Sequence, residues 1–445
     1  SFIHNVREFY MRRTTKKALA GLLLGSMAVG SVIPAYASEE KPFDGETIRV
    51  IMQAHTTTDS IQELLPQFEE MTGIDVELEV MPQEEMFDKT QIALAAGSSD
   101  YDVIMFDLMY TAQVADAGWI EELGPYVEKT GYDIDDFMPG YLNSLSYQGK
   151  LYGMPIYGES SMLMYNTEMF EQAGIEGAPK TKEEFDEAVA KLDAAGIPAI
   201  VYRGAKGHGM NVMPWTGMFL EMGGDWFDAD GNLAVNSEAA VKAAEYYADL
   251  LKNHSVSGVE SFNWDQCQLA IQQGKVAMCI DATNFASRLE NPEKSTIVGK
   301  VGYSVIPDGM AIGWTVASGF AIPTEAQHKD AGWEFIQWAL NKDSQLASCL
   351  NGDRCDPTRI SVMNSDEFNE KYNYADGQWV ATTIEALSTC PADYRPRIVE
   401  WLELGDGIAT ALSNVMQGDD AQAEFDKVQE NFKDLKYPDY EMFNK

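Results

Sequence analysis

The spacing of apolar residues along the chain alternates between the strand period and the helix period. Thr47–Gln53 is an apolar-rich run of strand length. After it, Ile61, Leu64, Leu65, Phe68 and Met71 recur at helical spacing behind a start near Asp59 or Ser60, with Gly73 as the stop. Ile74, Val76, Leu78 and Val80 then alternate with acids, the pattern of a half-buried strand. Met86–Ala96 predicts a helix, Asp102–Phe106 an apolar strand, and Thr111–Ala117 the beginning of another helix. This alternation predicts an α/β lobe with a mostly parallel sheet.

Residues 149–175 break the rhythm. Gly149 reads as a surface turn, followed by an extended segment through Met154 and Pro155, a buried strand Ser161–Tyr165, and a helix capped at Asn166 or Thr167 and stopped by Gly174. A proline-marked strand that leaves one half of a protein and starts another is where a two-lobed binder places its hinge. The second lobe is therefore expected to open at Pro155. Within it, Thr181 and Glu184 form a capping box before the helix Phe185–Ala195, and Ile197–Tyr202 is a strand. Asp230-Gly231 is a turn, Ser237–Lys252 a helix and Val276–Ile280 another strand. The chain is expected to return to the first lobe near Trp314–Ile322, with the helix Lys329–Leu340 behind it, and to cross again near Pro357. This divides it into residues 38–154 with 314–357 as one lobe and 155–313 with 358–445 as the other. No internal repeat interrupts the scheme.

The N-terminal residues change the picture first. Arg12, Arg13, Lys16 and Lys17 precede the apolar stretch Ala18–Ile33 and the small-x-small site Ala35-Tyr36-Ala37, so residues 1–37 read as upstream residues and a secretion signal, with Met11 as the expected initiator. No cysteine stands near the cleavage site to carry a lipid, so a freely diffusing, periplasmic protein is expected. Past the leader there is no apolar run of the ~18 residues that a membrane helix needs.

The formal charge is −38. The leader takes five basic residues and one acidic residue with it, leaving 27 basic against 69 acidic, or −42. Such an excess repels phosphate backbones and anionic lipid, which argues against nucleic-acid and membrane-surface partners and suits a neutral ligand. Of the five cysteines, Cys349 and Cys355 flank the turn-rich residues 350–354, where a local disulfide is plausible in an oxidising compartment. Cys267 and Cys279 are a second possible pair, and the odd count leaves at least one thiol.

In open α/β sheets ligands sit beyond the carboxyl ends of strands. That rule selects Gln53 and His55 after the first strand, and Asp107 and Tyr110 after Asp102–Phe106, although each could equally be a loop or capping residue. Glu159, framed by Gly158 and two serines in an otherwise apolar strand, must find partners, because an unpaired buried charge is costly. Ligand hydroxyls would serve, as would Arg203 or Arg397 across the lobes; both arginines are also candidate ligand contacts, Arg397 with a surface or interlobe salt bridge as the alternative. Asp281 ends the run Val276–Ile280 and reads either as a ligand carboxylate or as a helix cap. Trp314, in a glycine-flanked loop, and Trp215, after Met213-Pro214, are expected to offer ring faces to the cleft, whereas Trp333 and Trp338 read as core.

Residues 149–175, Gly302-Tyr303-Ser304-Val305-Ile306-Pro307 and Gly313–Pro323, in that order, resemble the extracellular solute-binding component of a carbohydrate ABC importer, of the maltose-binding-like type. Tyr157-Gly158-Glu159-Ser160-Ser161, Asp281-Ala282-Thr283 and Val298–Tyr303 are most similar to the branch that takes sugar alcohols such as sorbitol and mannitol. The resemblance implies a class II periplasmic-binding fold with discontinuous lobes and about three hinge crossings. It also implies Asp281 as a ligand for polyol hydroxyls, membrane permease subunits as partners, and a monomer without cofactor or catalytic residues.

Signatures of common enzymes are absent: there is no His-Glu-x-x-His, Gly-x-Ser-x-Gly or phosphate-binding glycine loop. Asp228, Asp230 and Gly231 imitate a calcium loop, but its first and twelfth positions would be Trp226 and Ser237, so no metal site is expected. Two readings stand as alternatives: a secreted hydrolase using Glu159 and Asp281, and a receptor feeding a membrane sensor.

Overall fold

The computed structural model describes residues 41–352, 355–391 and 394–441. The expected leader and its cleavage site lie outside them. Ten strands follow one another: β1 (Thr47–Gln53), β2 (Asp75–Met81), β3 (Val103–Asp107), β4 (Ser146–Tyr147), β5 (Lys150–Leu151), β6 (Met154–Asn166), β7 (Ile200–Val201), β8 (Met278–Ala282), β9 (Val301–Ser304) and β10 (Thr315–Ala321).

The arrangement is a two-lobed α/β fold whose lobes share one long strand. In the first lobe β2, β1 and β3 run parallel, and β10 joins antiparallel to both β3 and the first part of β6. In the second, β6 pairs antiparallel with β8 and with β9, while β7 lies parallel to β8. The sheet is therefore mixed rather than mostly parallel. The physical reason is the return journey: β10 re-enters the first lobe from the far side of the hinge and so must run against its neighbours.

The crossing also falls later than Pro155. Residues Met154–Ser160 pair with β10, and Ser161–Tyr165 pair with β8, so β6 changes sheets between Ser160 and Ser161. Pro155 brings no N–H to a ladder, and the register slips beside it, between Ser318 and Gly319. At the changeover the strands are cross-stitched by side chains. Ser160 Oγ donates to the Trp314 carbonyl at 3.0 Å, and Trp314 N donates to Ser161 Oγ at 2.9 Å. A Cβ at Gly313 would stand 2.3 Å from Cys390 Sγ and 2.9 Å from Ser161 Oγ, so a larger residue there would have to displace these side chains. The short helices Ile360–Met363 and Asp366–Lys371 pack on the helix Lys342–Asn351.

Two further expectations are corrected by packing. Trp215 is inside the helix Val212–Glu221 and fully buried, stacked on Phe219 with ring centroids 4.9 Å apart, its Nε1 donating to the Ala240 carbonyl at 3.1 Å. It is core, not a cleft face, because Pro214 sits in the first turn of a helix where its missing N–H is not needed. The disulfide between Cys349 and Cys355 is not formed: both are buried thiols. Cys349 belongs to the helix Lys342–Asn351, while Cys355 turns its sulfur toward the Asn284 carbonyl, 3.9 Å away.

The first lobe closes on Arg359. Its Nε donates to the Leu340 carbonyl at 2.6 Å, Nη1 to Asp136 Oδ2 at 3.0 Å and Nη2 to the Tyr132 hydroxyl at 2.9 Å, with the guanidinium 4.2 Å from the Phe137 ring centre. Burial pushes the Asp136 carboxyl up, but bonds from Ser361 and Arg359 outweigh it and hold the pKa below the usual carboxylate range. A folded-state pKa below the unfolded one contributes stability above the ordinary value near about 4, and that stability is lost as pH falls through and below it. Calorimetry at stepwise pH is expected to show the melting temperature dropping between about pH 5 and pH 3, with a shallower drop for Asp136→Asn.

Among the described residues, no helix is long and apolar enough to cross a membrane.

Candidate functional site

The strand ends gather polar side chains on three sides of the crossing. On the first-lobe side, His55 caps the helix Thr56–Thr72 by accepting from Thr57 N at 3.1 Å, and lays its ring on Tyr157 with centroids 4.3 Å apart and planes 15° from parallel. Gln53 Nε2 donates to the Tyr157 hydroxyl, while Gln53 Oε1 is buried with no hydrogen-bond partner among the described residues. Asp107 caps the turn Leu108–Tyr110, accepting from Met109 N at 3.1 Å, and Ser318 Oγ lies 3.4 Å from its other oxygen. His55 and Asp107 therefore do the capping work that was the alternative reading for each, and both remain half-buried.

Glu159 forms the floor. It is half-buried in β6, and Asn284 Nδ2 donates to its Oε2 while standing 3.4 Å from Oδ2 of the buried Asp356. One amide thus separates two carboxylates. The turn that carries Asn284, Thr283–Phe285, is anchored by Trp379 Nε1, which donates to the Thr283 carbonyl at 2.9 Å. Neither Asn284 nor Asp356 was singled out by the sequence, although Asn284 comes just after a strand and Asp356 just before the Pro357 expected at a crossing.

On the second-lobe side, Arg203 and Asp281 form a two-point ion pair. Nε donates to Oδ2 at 2.9 Å and Nη2 to Oδ1, with Arg203 8% and Asp281 2% exposed. Nη1 donates to the Gly209 carbonyl at 3.0 Å, and the guanidinium lies 5.5 Å from the Trp314 ring centre. Burial would lower the pKa of Arg203, but the Asp281 carboxylate raises it further than burial lowers it, and Glu159 adds to the same field. Arg203 keeps its charge. Both Asp281 oxygens accept from the guanidinium, so Asp281 holds Arg203 in place while it also lines the cavity beside Trp314.

Trp314, 7% exposed, borders a partly enclosed cavity of about 20 Å³ with Tyr202, Arg203, Met213, Asp281 and Ile312. Tyr202 is a further member that the sequence reading passed over; its place at the end of a strand was the available signal. Arg397 reaches across the lobes, donating from Nη1 to the Ser146 carbonyl in the first-lobe hairpin at 2.7 Å.

The chemistry of this set is recognition by hydrogen bonding. Two carboxylates, an amide and a phenol can accept from or donate to hydroxyls, and an indole offers an apolar face. A hydrolytic pair of Glu159 and Asp281 is disfavoured, since Asp281 is buried and held on Arg203. No group of three or more His, Cys, Asp or Glu side chains is placed to hold a metal ion among the described residues.

Known proteins agree with a binding role. The chain is 25% identical over 402 residues to the erythritol/L-threitol-binding protein of Mycolicibacterium smegmatis, covering 85% of this chain and 83% of that one. It is 27% identical over 373 residues to a probable amino-acid ABC transporter periplasmic-binding protein of Sinorhizobium fredii, covering 80% and 83%. Among solved structures, an ABC transporter solute-binding protein from Agrobacterium radiobacter in complex with ribitol superposes with a TM-score of 0.78 at 27% identity, covering 89% of this chain and all of that one. The model of the family described as bacterial extracellular solute-binding protein matches residues 54–346, about two thirds of the sequence, and the chain belongs to that family.

Proposed function

We propose that this protein is the exported, periplasmic receptor of an ABC importer for a small neutral polyhydroxylated solute, an acyclic polyol in the first instance. The observation that carries the reading is the floor at the lobe crossing, where Asn284 stands between Glu159 and Asp356; Glu159 is next in β6 to Ser160, whose hydroxyl donates to the Trp314 carbonyl. Carboxylates and an amide at such a place suit hydroxyls on adjacent carbons, and the indole suits their C–H faces. The similarity to erythritol-binding and ribitol-bound proteins supports the same ligand class.

Lobe one would comprise residues 41–160 with 314–371, and lobe two residues 161–313 with those after 371. Closure about the crossing would favour the liganded state only through contacts made to both lobes, and the closed form would then dock on membrane permease subunits. No bond is made or broken. A free amino acid is the competing ligand suggested by the second relative, but its carboxylate would need a cation, and Arg203 is engaged by Asp281.

A thermal-shift screen of erythritol, ribitol and D-mannitol against the common amino acids tests the reading. A ligand at about 100 times its dissociation constant adds about 2.7 kcal/mol to the folded state. A rise in melting temperature with at least one polyol is expected; a rise with amino acids alone would overturn the assignment.

A further inference from the structure

Strand β7 delivers Tyr202 into the second-lobe interior, directly before Arg203. Tyr202 is 3% exposed, and its hydroxyl has no hydrogen-bond partner among the described residues. Burial raises its pKa well above that of an ordinary phenol, so the group keeps its proton and remains a donor. Buried hydroxyls are almost always matched, and one that is not marks a place completed by something outside the chain. Here that place is defined, because Tyr202 lines the cavity beside Trp314, together with Arg203, Met213, Asp281 and Ile312.

The size and walls of the cavity narrow what fits. At about 20 Å³ it holds at least a water and suits a small end-group. Met213, Ile312 and the Trp314 ring suit a methylene, and the Tyr202 hydroxyl suits the oxygen at its end. We propose that Tyr202 is a specificity-determining residue whose hydroxyl receives a terminal hydroxymethyl group of the polyol in this cavity. The proposal rests on the polyol reading above and adds the end-group of the ligand to it.

Tyr202→Phe removes one oxygen and breaks no bond within the described protein. Isothermal titration of wild type and Tyr202→Phe with ribitol and D-mannitol, and with the terminally deoxygenated form of each, gives the test. The variant is expected to bind the polyol about tenfold more weakly and the deoxy form as wild type does, since only the former uses the phenol. The melting temperature of the unliganded variant is expected to equal or exceed that of wild type; a lower one would show that the hydroxyl had a structural partner and would overturn the proposal. Polyol binding by the variant within about twofold of wild type would assign the cavity to an ordered water and also overturn it. A wild-type protein that binds neither polyol would instead remove the functional reading on which the proposal stands.

Discussion

Asp281→Ala is expected to cost the second lobe about 3–5 kcal/mol, the largest loss of any single change in the site. The variant leaves the Arg203 guanidinium 8% exposed, beneath Trp314, without the carboxylate that neutralises it. A buried charge stripped of its partner keeps its desolvation penalty and loses the attraction that offset it. The same logic gives a control: Arg203→Met combined with Asp281→Leu removes both charges and should recover much of the loss. Urea unfolding followed by tryptophan fluorescence measures both. An Asp281→Ala midpoint equal to that of wild type would show that the pair is solvated and that the second-lobe wall is not held as described.

Glu159→Ala is expected to act on binding instead of on folding. A hydrogen bond to a charged group contributes about 1.5–3 kcal/mol, so the affinity for a polyol should fall by roughly 10- to 150-fold. Glu159 is half-buried, and its loss leaves Asn284 facing Asp356, so the unliganded protein should melt close to wild type. Calorimetric titration with ribitol or D-mannitol separates the two effects. Unchanged affinity in a folded variant would place the ligand away from the crossing.

Local signals were legible wherever a residue acts through its own neighbours in sequence. Strand Thr47–Gln53 stands where its apolar run predicts; Gly73 stops its helix at φ 78; Asn166 and Ser237 cap theirs. What depends on distant partners was not legible. β6 runs unbroken from Met154 through Pro155 and Glu159 because β10, some 150 residues later, supplies its ladder. Ile197–Tyr202 shrinks to Ile200–Val201, since Ala199 N donates instead to the His254 carbonyl at 2.7 Å. The site divides the same way. Glu159 and Trp314 stood out as a charge and a ring in unusual settings, whereas Asn284, Asp356 and Tyr202 matter only through what the fold sets beside them. Trp215 shows the opposite case: Pro214 suggests a loop, yet Val212, Trp215 and Phe219 share one face of a helix.

Because β6 belongs to both sheets, the swing of one half against the other is not the bending of a slack tether. It would be torsion in the ribbon of β6 beside the segment from Trp314 into β10, clamped at its midpoint by Ser160 and Ser161. A ribbon of this kind has a spring constant and a preferred axis. A closure about this ribbon would be closer to a single angular coordinate than to a cloud of orientations, and little disorder would have to be frozen out on binding.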